Sequence, residues 1–147
     1  GAQWDVITSR EGVTLNDLQW VSFREQLWLA YTSSDTFTLN FAYAENLKMG
    51  FQTNLQNIKS FSLVEFKDRL FMAYTTLGSS DIYVASSGDG MTWDSHLTQG
   101  DTIKNLQLTS YQNKLRLVYA NLKRSKINIC SSEDGKSWSL DCVYTTF

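Results

Sequence analysis

With 147 residues, 42% of them apolar and 14% aromatic, the chain is long enough to bury a core of its own, which excludes disorder as its main state. Thirteen basic and fifteen acidic residues leave a formal charge of −2, and the densest basic stretch is Lys123-Arg124 with Lys126 nearby, so the phosphate-neutralising stripe that nucleic acid requires is missing. No apolar run approaches the ~18 residues of a membrane span.

The chain opens Gly1-Ala2 without Met or a signal-like segment, as processing or excision from a longer protein would leave it. Within residues 1–13, Gln3-Trp4-Asp5 resembles Thr92-Trp93-Asp94, so Trp4 to Thr8 reads as a spare strand whose partners lie elsewhere. From there the chain repeats itself. Leu15 to Thr32 aligns without gaps on Ile58 to Thr75 and on Ile103 to Ala120. In that frame Phe23, Phe66 and Tyr111 coincide, as do Leu27, Leu70 and Leu115, and also Tyr31, Tyr74 and Tyr119.

Each unit holds four short β-prone runs, in the second unit Ser60 to Phe66, Leu70 to Thr75, Asp81 to Ser86 and Thr92 to Thr98. The first two runs are joined by polar tripeptides: Arg24-Glu25-Gln26, Lys67-Asp68-Arg69 and Gln112-Asn113-Lys114. Alternation along the second run puts Leu27, Leu29 and Tyr31 on one face and Trp28, Ala30 and Thr32 on the other. Both faces are largely apolar, so the sheet must be covered on both sides. A four-stranded unit of about 45 residues that cannot cover its own faces is the pattern of a β-propeller blade, with three blades over roughly 14–55, 56–100 and 101–147. Three is fewer than the four or more that closed rings contain. The expectations are therefore a piece of a larger propeller, two chains making one six-bladed ring, or an open stack with covered ends.

The third turn carries the sharpest motif. Ser87-Gly88-Asp89-Gly90-Met91-Thr92-Trp93 and Ser132-Glu133-Asp134-Gly135-Lys136-Ser137-Trp138 stand 45 positions apart (138 − 93). Asp side chains bond nearby backbone amides and Gly supplies positive φ, so Asp-Gly between two β-prone runs marks a hairpin. In the first unit the turn is degenerate, with Asn46 at the Asp position and Phe51 at the Trp position after one extra residue. Ser87, Asp89, Gly90 and Trp93, with Ser132, Asp134, Gly135 and Trp138, resemble the Asp-box, or bacterial neuraminidase repeat, though one residue shorter before the aromatic. The resemblance implies an outer-rim folding element of propeller blades, found in sialidases, other glycosidases, lectins and sorting receptors. For function it implies little.

Sialidase activity, the sharpest implication of that resemblance, meets a poor inventory: of the five arginines Arg10, Arg24, Arg69, Arg116 and Arg124, three fall in predicted turns or loops. His96 is the sole histidine and reads as a surface strand residue, and neither a metal-ligand cluster nor a cofactor loop is present, so no cofactor is expected. Trp20 aligns with Leu63 and Leu108 and reads as core. Trp28, Phe71 and Arg116 share a position that reads either as a half-buried blade face or as a sugar-stacking wall. The recurrent Tyr31, Tyr74 and Tyr119 either hold blade contacts or line equivalent ligand pockets. Cys130 and Cys142 flank the last Asp-Gly turn symmetrically, as a cross-strand bridge or as two reduced thiols. The expected function is non-catalytic glycan recognition by a secreted, multivalent, lectin-like homo-oligomer. The alternatives are a protein-interaction scaffold, a truncated or engineered part of a larger Asp-box propeller, and a fragment of a sialidase-like glycosidase.

Overall fold

The computed structural model describes residues 15–99, 103–121 and 123–145. Arg10 and the spare strand expected at Trp4 to Thr8 lie outside them. The chain is all-β: three antiparallel four-stranded sheets follow one another, each with its strands in sequence order. The first blade holds β1 (Leu15–Phe23), β2 (Gln26–Ser33), β3 (Leu39–Tyr43) and β4 (Asn46–Gln52). The second holds β5 (Ile58–Phe66), β6 (Arg69–Thr76), β7 (Ile82–Ser87) and β8 (Asp94–Gln99). The third holds β9 (Ile103–Tyr111), β10 (Lys114–Asn121), β11 (Lys126–Ser132) and β12 (Ser139–Thr145).

The hairpin between the first two strands of each blade is tighter than the tripeptides suggest. Phe23 pairs with Gln26 and Phe66 with Arg69, leaving two-residue loops. Arg24 and Glu25, Lys67 and Asp68, and Gln112 and Asn113 all have positive φ. That is the type I′ geometry whose twist matches paired strands, here built without glycine.

Two apolar clusters join the blades. In the first, Val21, Phe23, Trp28, Ala30 and Phe41 meet Phe61, Leu63, Leu70, Met72 and Trp93. In the second, Phe66, Phe71, Ala73 and Val84 meet Leu106, Leu108, Leu115, Leu117 and Cys130. The same repeat positions recur at both joints, because each blade offers one face forward and the other backward. A polar clasp repeats too. Gln19 donates from Nε2 to the Leu63 carbonyl (2.8 Å) and accepts the Leu63 N–H (2.9 Å). Ser62, one repeat later, donates to the Leu108 carbonyl (3.4 Å) and accepts the Leu108 N–H (2.8 Å). Each clasp satisfies the open edge of the next blade's first strand.

The Asp-Gly turns are the same twice over. Asp89 Oδ1 accepts from the Met91 and Thr92 amides (2.8 and 3.1 Å), and Asp134 Oδ1 from Lys136 and Ser137 (2.8 and 2.9 Å). Ser87 and Ser132 accept the Gly90 and Gly135 amides at 2.8 Å. Trp93 and Trp138 donate from Nε1 to the carbonyls of those glycines. The turn then locks to the blade before it: a Cβ on Gly90 would sit 2.5 Å from the Trp28 ring, and one on Gly135 2.5 Å from Phe71.

Two sequence expectations change. Phe51 does not take the tryptophan's place; its ring lies against Trp28 and Phe41 on the forward face, while Leu47 is buried with Tyr31 and Ala42 on the backward face. The register shift between Ala42 and Tyr43 produces this: Ala42 pairs with Gly50 and Tyr43 with Asn46, so three residues of β4 are out of register, and an odd number reverses which side chains face which way. Trp20 is 49% exposed, where Leu63 and Leu108 are 3% and 4%. No blade among the described residues precedes the first one and covers it.

Gly135→Ala is expected to cost about 1–3 kcal/mol by steric overlap with Phe71, beyond the roughly 1–2 kcal/mol that any L-residue incurs at left-handed φ. Gly78→Ala is the comparison: it has φ +77° and open space around its Cβ, so urea midpoints should rank it well above Gly135→Ala. Backbone amides, led by those of Thr92 and of Ser137, hold the Asp89 and Asp134 carboxyls below their ordinary value of 3.8. Their contribution is then full above that value and fades as pH falls through the lowered folded one. The urea midpoint should drop between pH 6 and pH 3, and the drop should narrow in Asp89→Ala and Asp134→Ala.

Candidate functional site

The positions singled out from the sequence do not converge. Trp28 is buried in the first joint, ringed by Phe23, Phe41, Tyr43 and Phe51 with centroids 5.4–6.1 Å away. Phe71 is buried in the second joint, edge-on to Phe66. Arg116, at the same repeat position, is half-buried on the forward face of the last blade, paired with Asp141 at 3.0 Å. Tyr31, Tyr74 and Tyr119 are buried, one per blade; Tyr74 bonds Ser95, and desolvation pushes its hydroxyl pKa upward. Four places in the fold therefore hold six residues, and among the described residues no single concavity gathers them.

Cys130 and Cys142 are free thiols. A bulge between Ile129 and Cys130 breaks the expected symmetry: Cys142 pairs with Ile129, and Cys130 stands opposite Leu140. Burial pushes the Cys130 thiol up. His96 is exposed on β8. Among the described residues there is no cluster that could hold a metal ion, and no helix long and apolar enough to cross a membrane.

The polar grouping that the structure does assemble lies where the first strands begin. β1 lies against β5 and β5 against β9, so these strands are the inner edges of the three blades. Each has a bulge near its start: at Asn16, at Lys59, and around Asn105, whose φ is +56°. Bulges re-aim side chains and favour the surroundings of active sites. Asn16 donates both amide hydrogens, to the Lys59 carbonyl (2.9 Å) and the Thr32 hydroxyl (3.2 Å). Its own carbonyl oxygen remains as an acceptor. Asp17 accepts from the Leu18 N–H at 2.9 Å and, across the joint, from the Phe61 N–H at 3.4 Å. The amide of Asn16 and the carboxylate of Asp17 thus reach across to the backbone of β5, at Lys59 and Phe61, and Lys59 is exposed there. Chemically the Asn16 carbonyl and the Asp17 carboxylate offer acceptors to a hydroxyl-rich ligand, with the exposed Lys59 on the adjoining strand start. Sequence reading passed over it because the register shift is invisible in the alternation pattern; the polar pair Asn16-Asp17 interrupting an apolar run was its one trace.

No protein-family profile and no curated protein sequence matches the chain. Solved structures do match. A GH32 β-fructofuranosidase of Bombyx mori superimposes with a TM-score of 0.61 at 16% identity, over 87% of this chain and 35% of that one. A fructofuranosidase from Schwanniomyces occidentalis, complexed with fructose, gives a TM-score of 0.64 at 16% identity, over 96% and 36%. The chain thus spans about a third of the length of each. At such identity the likeness is one of fold, and with three sheets of four antiparallel strands that fold is the β-propeller.

Proposed function

We propose that the chain is a run of blades in a carbohydrate-directed propeller of the glycosidase type, with its sugar contacts at the rim formed by Asn16, Asp17 and Lys59. The observation that carries this reading is the bulged polar start of the inner strands, in a fold shared with enzymes named for acting on fructofuranosides. Glycoside hydrolysis uses two carboxyl groups about 5–9.5 Å apart on either side of the scissile bond. Among Asn16, Asp17 and Lys59 there is one, so these residues are assigned binding and positioning of sugar, and turnover belongs to a completed ring.

The earlier expectation of lectin-like sites between blades competes with this reading at Arg116, the member of its shared position that is not buried in a joint. Calorimetric titration with a β-fructosyl oligosaccharide separates the two. The expected result is weak binding, Kd of about 1 mM, near −4 kcal/mol. Asn16→Ala and Asp17→Asn should each weaken it about tenfold, or roughly 1.4 kcal/mol, and no reducing sugar should be released. Binding lost with Arg116→Ala but kept in both rim variants would sink the rim reading in favour of sites between blades.

A further inference from the structure

The two ends of the stack are unlike each other and complementary. The backward face of the first blade exposes Leu18, Trp20 and Leu27 at the positions where Phe61, Leu63 and Leu70, then Leu106, Leu108 and Leu115, are buried. The forward face of the third blade exposes Tyr111 to 64%, where Phe23 and Phe66 are buried at 2% and 6%. What the internal joints bury, the first blade's end leaves open, and the third blade's end matches it with the aromatic Tyr111 beside the more polar Thr109 and Arg116.

We propose that these ends dock on each other between two copies of this chain, head to tail, closing one ring. Three details favour a second copy as the occupant. First, Gln107 is exposed at the clasp position held by Gln19 and Ser62, and Trp20 holds the position of Leu63 and Leu108, whose backbone edges receive the clasp. A glutamine amide that grips one blade edge inside the chain is thus repeated at the open end, facing the matching edge of another copy. Second, the joint changes chemistry on both sides at once. Inside the chain, Trp28 and Phe71 press on the Asp-Gly turns. At the open end the pressing residue is Arg116. The first blade's turn, where it would land, lacks the Asp-Gly pair and instead bounds a concavity of about 580 Å³ lined by Glu25, Leu27, Tyr43, Glu45 and Asn46. Arginine replaces the aromatic at the open end, and the first blade's end brings Glu25 of the β1–β2 turn and Glu45 of the β3–β4 turn to the concavity it would face. Third, the Arg116 side chain is 28% exposed at this end, with Nη1 on Asp141, so the outward part of its guanidinium is open to a carboxylate of the other copy.

Closure follows from the count of blades. Rings have about four to eight blades; two copies of three blades make six and three copies make nine. Each contact is heterologous, so a two-fold pair contains the joint twice. The proposal rests on the propeller reading above but on none of its sugar chemistry. A glycan-binding monomer would sink the joint alone, and a dimer blind to glycans would sink the sugar reading alone.

Light scattering on the full chain at micromolar concentration should give 33.6 kDa (2 × 16.8 kDa). Trp20→Asp and Tyr111→Asp should each give 16.8 kDa with an unchanged far-ultraviolet spectrum, since each spoils both joints. Mixing the two variants should restore 33.6 kDa, because the mixed pair keeps one unaltered joint. Arg116→Glu should raise the dissociation midpoint at least tenfold, and adding Glu45→Arg should bring it back. A monomeric wild type, a mixture that stays monomeric, or a charge swap without recovery overturns the proposal.

Discussion

The first two blades are apolar on both faces and the third on its backward face, and such a sheet is stable only while something covers each apolar side. The joint between blades is the solution the chain repeats. It combines an apolar contact of about ten side chains with a polar clasp on the inner strand and a ring pressed onto a glycine. The apolar part supplies most of the free energy and is indifferent to register. The clasp and the ring-on-glycine contact are directional, and they fix how far one blade slides and turns against the next. Removing Cβ at Gly90 and Gly135 serves two needs at one residue, positive φ in the turn and room for the neighbouring ring.

The same constraint explains where the molecule is polar. Burying both faces leaves the strand ends and inner edges as the places where polar side chains can gather, and the bulges at Asn16 and Lys59 release those residues from the alternation that would otherwise hold them. A site built on three adjacent strand starts is positioned by the joints themselves. Tilting a blade would move Asp17 relative to Phe61, to which it is bonded. Fold and candidate site are therefore coupled through the contacts that cover the sheets.

Much of this was legible beforehand because it is local. The Ser-x-Asp-Gly-x-x-Trp turns form as their side chains require, down to the amides that Asp89 and Asp134 accept. The alternation of Leu27, Leu29 and Tyr31 against Trp28 and Ala30 placed each on its proper face. The readings that changed share a cause. Phe51 and Cys142 both lie just beyond a register shift, and an odd number of displaced residues reverses the facing of all that follow on a strand. Trp20 followed the alignment onto its face correctly, but its exposure depends on whether a neighbour exists there.

By itself, then, the sequence determined the repeat, the strands, the turn chemistry and the two-sided apolar character of the first two sheets, all of which follow from spacing along the chain and from the side chains within a few residues. Only the tertiary structure decided which faces meet, where bulges turn polar residues out of the pattern, and that Trp28 and Phe71 are pressed into joints while Arg116 is left at an open end. Those outcomes depend on atoms about 45 residues apart coming within a few ångströms, a relation that periodicity implies but does not measure.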